Sequence, residues 1–172
     1  MQVQIYASTV ASGDVVRAKM GGFLKSKNGI LGQEFAGVVT EVGKKVTRFN
    51  KHDRVFGIVA TGAHAEYLTV SEEAAVTKIP ASVSFREAVC FCIGANPTLY
   101  FLEKLGNIRP GHQILIIGAS GSVGTFAVQY AKYIGAEVTG VCSTKNIELV
   151  KELGANHVID YNQEDFRESK KI

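Results

Sequence analysis

Residues 112–145 read HQILIIGASGSVGTFAVQYAKYIGAEVTGVCSTK, and this stretch indicates the fold of the second half of the chain. It begins with an unbroken apolar run of strand length at 114–117. A helical pattern follows over 125–134, Gly135 is placed to end that helix, and a second apolar run covers 138–142. Strand, turn, helix and strand in this order predict a βαβ unit of the dinucleotide-binding kind.

The turn between the first strand and the helix has the composition of a phosphate-binding loop. It reads ASGSVG and fits G-x-G-x-x-G with Ala119 in place of the first glycine. Gly121 lacks the Cβ that would block a pyrophosphate, and Gly124 lets the helix pack closely on the strand. The alternative is a structural turn that binds nothing. The predicted contacts to a dinucleotide are Ala119, Ser120, Gly121, Ser122, Val123 and Gly124.

The segments that follow extend the same pattern. A helix over 146–153 ends at Gly154, and a third strand is predicted over 157–161. The last sixty or so residues therefore read as βαβαβ, about half of a doubly wound sheet. The first helix is predicted to face this sheet with Val123, Ala127, Val128, Ala131 and Ile134.

Composition limits the function classes. The chain has 172 residues, 46% of them hydrophobic, and a net charge of +3, which is too small to indicate nucleic-acid binding. Neither a signal peptide nor an apolar run long enough for a membrane helix is evident. Three cysteines, an odd and sparse count, suggest a reducing, cytoplasmic setting. These features predict an ordinary globular protein that associates with neither membrane nor nucleic acid.

The first eighty residues read as strands and turns without a helical period, which predicts a β-rich partial barrel. The pattern changes near Pro80, where Ser82 or Ser84 can cap a helix that starts near Phe85, with Glu87 at capping-box distance from Ser84. The strand candidates are 3–6, 34–42, 54–59 and 65–70, and the helix candidates before the βαβ region are 86–92 and 98–105.

Eight segments along the chain match one protein family in family order. The chain resembles the medium-chain dehydrogenase/reductase superfamily, and within it the zinc-independent quinone oxidoreductase-like branch. The segments are ASTVASGD (7–14), GQEFAGVVTEVG (32–43), DRVFG (53–57), GAHAEYLTV (62–70), PTLY (97–100), GASGSVG (118–124), QYAKYIG (129–135) and LGANHVIDY (153–161).

The resemblance implies an α/β protein of two domains. Residues 1–82 would form a GroES-like substrate domain, a partial barrel that lacks its N-terminal part. Residues 83–172 would form a Rossmann-type doubly wound parallel sheet that binds NADP(H), of which only the first βαβαβ half is present. Family members extend beyond both ends of these residues, so the chain is expected to be an internal piece and both domains incomplete.

The family's zinc ligands have no counterpart at the matching positions. No cysteine occurs near Asp14 where the first ligand would be, and Gln33 stands where zinc-dependent relatives carry histidine. We therefore expect a metal-free protein.

The end of the second βαβ strand bears on the choice of cofactor. NAD-selective sites usually carry an acid there, but this chain has Ser143, Thr144 and Lys145, which suit a 2′-phosphate. The resemblance adds Tyr161 near that phosphate. The alternative for Lys145 is a solvated residue in the first turn of the next helix. These residues favour NADP(H).

The catalytic residues stay unknown. The resemblance implies an asparagine where this chain has Ala11 and a nearby tyrosine where Phe23 is the closest aromatic, so both expected donors are absent. Thr98 matches the family's threonine near the nicotinamide, and its alternative is a residue at a helix N-terminus.

The resemblance implies an NADPH-dependent, zinc-independent oxidoreductase that reduces quinones or α,β-unsaturated carbonyls. The alternatives are an enoyl-thioester reductase and a non-catalytic nucleotide-binding or regulatory protein of the same fold. The expected partner is a small carbonyl or quinone substrate. Family members often form a homodimer through the edge of the Rossmann sheet, and an incomplete sheet predicts self-association or marginal solubility.

Overall fold

The computed structural model describes residues 1–20 and 29–168. The chain divides into two compact units, Met1–Cys92 and Ile93–Ile172. The domain boundaries predicted from the sequence, 1–82 and 83–172, stay a prediction. Phe23 lies outside the described residues.

The first unit is built on a five-stranded antiparallel sheet with the order β4-β1-β2-β3-β5. Phe35, Val3, Val39 and Val55 are fully buried in its core. Val3 lies opposite Val39, so the two central strands place apolar side chains on the same face. The strands are β1 (Gln2–Ser8), β2 (Glu34–Glu41), β3 (Arg54–Ile58), β4 (Tyr67–Thr69) and β5 (Val76–Lys78).

Two elements of the first unit differ from the sequence prediction. Helix α1 (Ser12–Lys19) occupies a region predicted to hold only strands and turns. Its start is fixed by the buried Asp14, whose carboxylate accepts the N–H of Ala11 at 3.0 Å and the N–H of Gly32 at 3.1 Å. Strand β5 has only three residues, too few for a detectable period.

Helix α2 (Phe85–Cys90) begins where the sequence predicted. The N–H of Glu87 donates to the Ser84 hydroxyl at 3.2 Å, and the N–H of Ser84 donates to the Glu87 carboxylate at 2.8 Å. This reciprocal pair is the predicted capping box. Ala88 and Val89 pack with Ala36 and Ile79, so the helix belongs to the first unit by contact.

The second unit has a parallel sheet with the order β6-β7-β8. Neither this sheet nor the antiparallel one closes on itself within the described ranges, which confirms the predicted α/β class with two incomplete sheets. The elements are α3 (Ala95–Leu99), a π-helical segment (Tyr100–Leu105), β6 (Gln113–Ile117), α4 (Ser122–Ile134), β7 (Glu137–Cys142), a 3₁₀ turn (Thr144–Asn146), α5 (Ile147–Glu152) and β8 (His157–Asp160).

The core of the second unit lies between the sheet and helices α4 and α5. Ala127, Val128 and Ala131 are buried there as predicted. Val123 is exposed, so the prediction that it faces the sheet is wrong. Gly124 occupies the sheet-facing position of the first helical turn instead.

Gly135 ends α4 in the left-handed conformation with φ 87°, as predicted, and its N–H donates to Lys132 O at 3.0 Å. Across residues 1–20 and 29–168, no helix is both long enough and apolar enough to cross a membrane.

Candidate functional site

The glycine turn lies at the carboxyl end of β6, next to the carboxyl end of β7. The N–H groups of Gly118 and Ala119 both donate to Val141 O at 3.0 Å, which ties the turn to the neighbouring strand. Gly118 has φ 76°, a conformation that favours glycine. In open α/β sheets ligands bind outside the carboxyl ends of the strands, and this turn occupies that position.

Gly121 and Gly124 serve different purposes in the turn. A Cβ at Gly124 would lie 2.2 Å from Gly118 O, so this residue must be glycine for α4 to pack against the turn. A Cβ at Gly121 would meet only Gly118 O, at 3.3 Å. That contact is closer than ordinary van der Waals distance, but no other atom outside the adjoining residues would lie within 4 Å of this Cβ.

The start of α4 presents free backbone donors. The Thr125 N–H is the first to bond within the helix, to Gly121 O at 2.9 Å. The N–H groups of Ser122, Val123 and Gly124 therefore have no acceptor within the helix. Because helix dipoles place positive charge at this end, these three donors suit an anion.

Asn146 joins the glycine turn to the carboxyl end of β7. Its side-chain amide donates to the Ser120 hydroxyl at 2.9 Å and to the Ser143 hydroxyl at 3.2 Å. Each hydroxyl oxygen thus accepts one bond from Asn146 and keeps its own proton to donate elsewhere. The sequence analysis did not find Asn146, because nothing in a local pattern shows that residues 120 and 146 are neighbours.

Asp160 ends β8 and bonds to the 3₁₀ turn Thr144–Asn146. Its carboxylate accepts the Thr144 hydroxyl at 2.6 Å and the Asn162 backbone N–H at 3.0 Å. The Thr144 hydroxyl bond is the main reason that the pKa of Asp160 lies below its ordinary value, and the bonds from Asn162 lower it further. The sequence analysis missed Asp160 as well, although an acid at the carboxyl end of a parallel strand is a usable signal.

Lys145 and Tyr161 are both exposed. Lys145 forms no hydrogen bond or ion pair with any residue that the structure describes, so its ammonium is available to a ligand. The Tyr161 backbone N–H donates to Cys142 O at 3.1 Å, which holds this residue next to the end of β7.

Thr98 lies inside α3 and is 2% exposed. Its hydroxyl is within bonding distance of Gly94 O at 3.0 Å and of Val123 O at 3.1 Å. A hydroxyl has one proton, so Thr98 shares it between two carbonyl groups. This geometry links α3 to the first turn of α4 and leaves the predicted contact with nicotinamide a prediction.

Two family comparisons agree with the geometry of the two units. Residues 1–81 match the alcohol dehydrogenase GroES-like domain, and residues 122–171 match the family described as zinc-binding dehydrogenase. The chain belongs to the medium-chain dehydrogenase/reductase superfamily. Its first unit therefore carries a GroES-like sheet, and its second unit carries Rossmann-type strands.

Curated relatives of this dehydrogenase/reductase chain include quinone and enoyl reductases. It is 35% identical over 141 residues to the quinone oxidoreductase-like protein 2 homolog of Nematostella vectensis, an alignment that covers 81% of this chain and 39% of that protein. It is 37% identical over 148 residues to the trans-enoyl reductase RAP2 of Pyricularia oryzae, with 76% and 42% covered. The chain thus spans less than half the length of these relatives.

A solved structure of Escherichia coli quinone oxidoreductase in complex with NADPH superposes with a TM-score of 0.86. The sequence identity is 30%, and the superposition covers 95% of this chain and 51% of that one. These relatives are named as oxidoreductases or reductases, and the chain is similar to about half of each.

The residues at the superfamily's zinc position do not fit the metal. The amide of Gln33 donates to Ala60 O at 3.4 Å, and the buried carboxylate of Glu34 accepts the Thr9 hydroxyl. Among the described residues, no three His, Cys, Asp or Glu side chains lie close enough to share a metal ion. The metal-free character of the protein stays a prediction.

Proposed function

We propose that this chain is the nucleotide-binding and substrate-domain part of an NADPH-dependent, zinc-independent oxidoreductase that reduces quinones or α,β-unsaturated carbonyls. The observation that carries the proposal is the pair of donor sets at the carboxyl ends of β6 and β7. One set is the free N–H groups at the start of α4. The other is the Ser143 hydroxyl and the Lys145 ammonium, with no acid at residues 143–145.

Each donor set suits one part of the cofactor. The N–H groups of Ser122, Val123 and Gly124 would hold the pyrophosphate, and the absence of a Cβ at Gly121 would let it approach the backbone. Ser143 and Lys145 would hold a 2′-phosphate, because a hydroxyl and an ammonium both donate to phosphate oxygens. When bound, the nicotinamide ring supplies a hydride to an electron-poor carbon.

Nucleotide binding tests the proposal directly. Fluorescence titration of the 172-residue chain should give a lower Kd for NADPH than for NADH. Lys145→Ala should shrink that preference about tenfold, because it removes one charge-assisted contact to the 2′-phosphate. Lys104→Ala, which removes another exposed lysine of the same unit, should leave the preference unchanged. Equal affinity of the unaltered chain for both nucleotides would contradict the assignment.

Turnover distinguishes the candidate substrates. Oxidation of NADPH with a panel of small quinones and enones supports the leading proposal, whereas oxidation only with enoyl thioesters supports the second candidate. That candidate is favoured by the similarity to a trans-enoyl reductase. Tight binding without turnover of any of them would support a non-catalytic nucleotide-binding protein.

The remaining properties are proposed on the same basis. All three cysteines, Cys90, Cys92 and Cys142, are free thiols, which supports a reducing cytoplasmic setting. We further propose a small-molecule substrate, and a homodimer formed through the Rossmann sheet.

A further inference from the structure

The turn that carries Lys145 is held by a carboxylate from another strand. Asp160 is 8% exposed, and its Oδ2 accepts the Thr144 hydroxyl at 2.6 Å. Its Oδ1 accepts the Asn162 N–H at 3.0 Å, and the Asn162 amide donates to Thr144 Oγ1 at 3.3 Å. Ser143, the N-cap of the 3₁₀ turn, forms no side-chain cap of its own. Asp160 therefore supplies the polar partner that this turn otherwise lacks.

This arrangement suits a carboxylate. Asp160 receives donors on both oxygens, and an ionised carboxylate accepts on both. An amide could keep the bond from the Asn162 N–H only by turning its NH₂ group to the Thr144 hydroxyl, which would then accept instead of donate, and the charge-assisted bond would be lost. The lowered pKa of Asp160 agrees with a carboxylate that is ionised and well supplied with donors.

The Thr144 hydroxyl is committed by the same geometry. It donates its only proton to Asp160, so that proton is not available to a phosphate. Ser143 differs, because its oxygen accepts from Asn146 and its proton is left to donate. Thr144 therefore fixes the turn to Asp160. Its two neighbours, Ser143 and Lys145, keep protons that they can donate to a ligand.

We propose that Asp160 is a positioning residue that holds the Thr144–Asn146 turn so that Lys145 faces a 2′-phosphate, and that Asp160 thereby sets the preference for NADPH over NADH. The inference rests on the proposed NADPH site. In this proposal the buried Asp160 favours NADPH, whereas an exposed acid at a strand end favours NADH. An exposed acid accepts ribose hydroxyls and selects NADH, whereas Asp160 is buried and each of its oxygens already accepts a bond from the protein.

The test compares nucleotide preference in matched variants. Asp160→Asn keeps the shape of the side chain and removes one acceptor, so the ratio of the NADH Kd to the NADPH Kd should fall about fivefold. Asp165→Asn is the control, because Asp165 is a carboxylate of the same segment whose partner is Arg167 and not the turn. The control should leave the ratio unchanged.

A second pair of measurements separates positioning from general damage. In a Lys145→Ala background, Asp160→Asn should have little further effect on the ratio, because the group that it positions is gone. Asn162→Ala alters only an exposed side chain and should lower the ratio in the same direction by a smaller factor. This variant gives a result even if Asp160→Asn fails to fold.

The outcomes distinguish the inference from the proposed function. Equal affinity of the unaltered chain for NADPH and NADH overturns both. A preference for NADPH that Asp160→Asn leaves unchanged or increases overturns only the positioning role, and an increase would mean that Asp160 repels the phosphate or binds ribose. Additive effects of Asp160→Asn and Lys145→Ala would also overturn it, since they show that Asp160 does not act through Lys145.

Discussion

Two glycines three residues apart in the turn between β6 and α4 have different structural roles. Gly124 leaves no room for a methyl group, because its Cβ would lie 2.2 Å from Gly118 O and 2.8 Å from the Cα of Ala119. Gly121 has an extended backbone, with φ −80° and ψ 172°, that any residue adopts. Stability and ligand binding can therefore be altered independently in this turn.

Gly124→Ala should destabilise the chain by about 1–3 kcal/mol, because the added methyl forces backbone atoms apart. Gly121→Ala should change stability less and should instead weaken NADPH binding, since its methyl would have one close contact, 3.3 Å from Gly118 O, and would lie where the proposed pyrophosphate approaches the turn. Chemical denaturation and nucleotide titration of both variants check the two effects. Equal losses of stability in the two variants would contradict the division of roles.

A local sequence pattern supplies the candidate site residues, but it does not show which of them are in contact. The glycine turn and the exposed Lys145 follow from a local pattern. The bonds from Asn146 to Ser120 and from Thr144 to Asp160 join residues that are 26 and 16 positions apart. Such contacts depend on strand order, which no local period encodes.

Among the elements, helix boundaries were predicted best where a side chain caps the end. The Ser84 hydroxyl fixes the start of α2, and the sequence located it correctly. The start of α4 at Ser122 was placed three residues late, because its N-cap is Gly121, which has no side chain to mark it. The cap of α1 comes from Asp14, inside the helix, so the sequence analysis overlooked that element.

The capping box of α2 gives a prediction about stability. Ser84→Ala should lower the free energy of unfolding by about 1 kcal/mol, because the Glu87 N–H loses its acceptor. Ser82→Ala is the matched control, since Ser82 was the other candidate cap and makes no bond to this helix. Urea unfolding of both variants measures the difference, and similar midpoints for the two would contradict the assignment.

The same box makes this difference depend on pH. The bonds from the Ser84 side chain and backbone hold the pKa of Glu87 below its ordinary value of 4.5. A lowered folded-state pKa contributes stability above pH 4.5, and that contribution is lost as the pH falls through the folded-state value. The stability gap between the unaltered chain and Ser84→Ala should therefore narrow in acid.

On the scale of the whole chain, the parallel sheet has an open side. Strand β6 pairs with β7 on one side only within the described residues, and Ile117 on β6 is 62% exposed. An unpaired strand with exposed apolar side chains is a template for pairing with another copy.

Light scattering should accordingly show that the mean mass of the chain rises with concentration. Ile117→Lys should reduce this association, because edge lysines oppose strand pairing. Tyr133→Lys replaces a side chain that is 84% exposed on α4, away from any strand edge, and should not reduce it. A monodisperse monomer at all concentrations would rule the association out.

The bond between Thr144 and Asp160 also limits how cofactor use could be redesigned. The usual way to make such a site accept NADH is to introduce an acid at the end of the second strand, here at residue 143. That acid would lie near the turn that Thr144 bonds to the Asp160 carboxylate. Two carboxylates that lie close together raise each other's pKa, so ionising both of them is unfavourable. A redesign would need to replace Thr144 and Asp160 together, so that the new acid becomes the only charge at this edge of the nucleotide site.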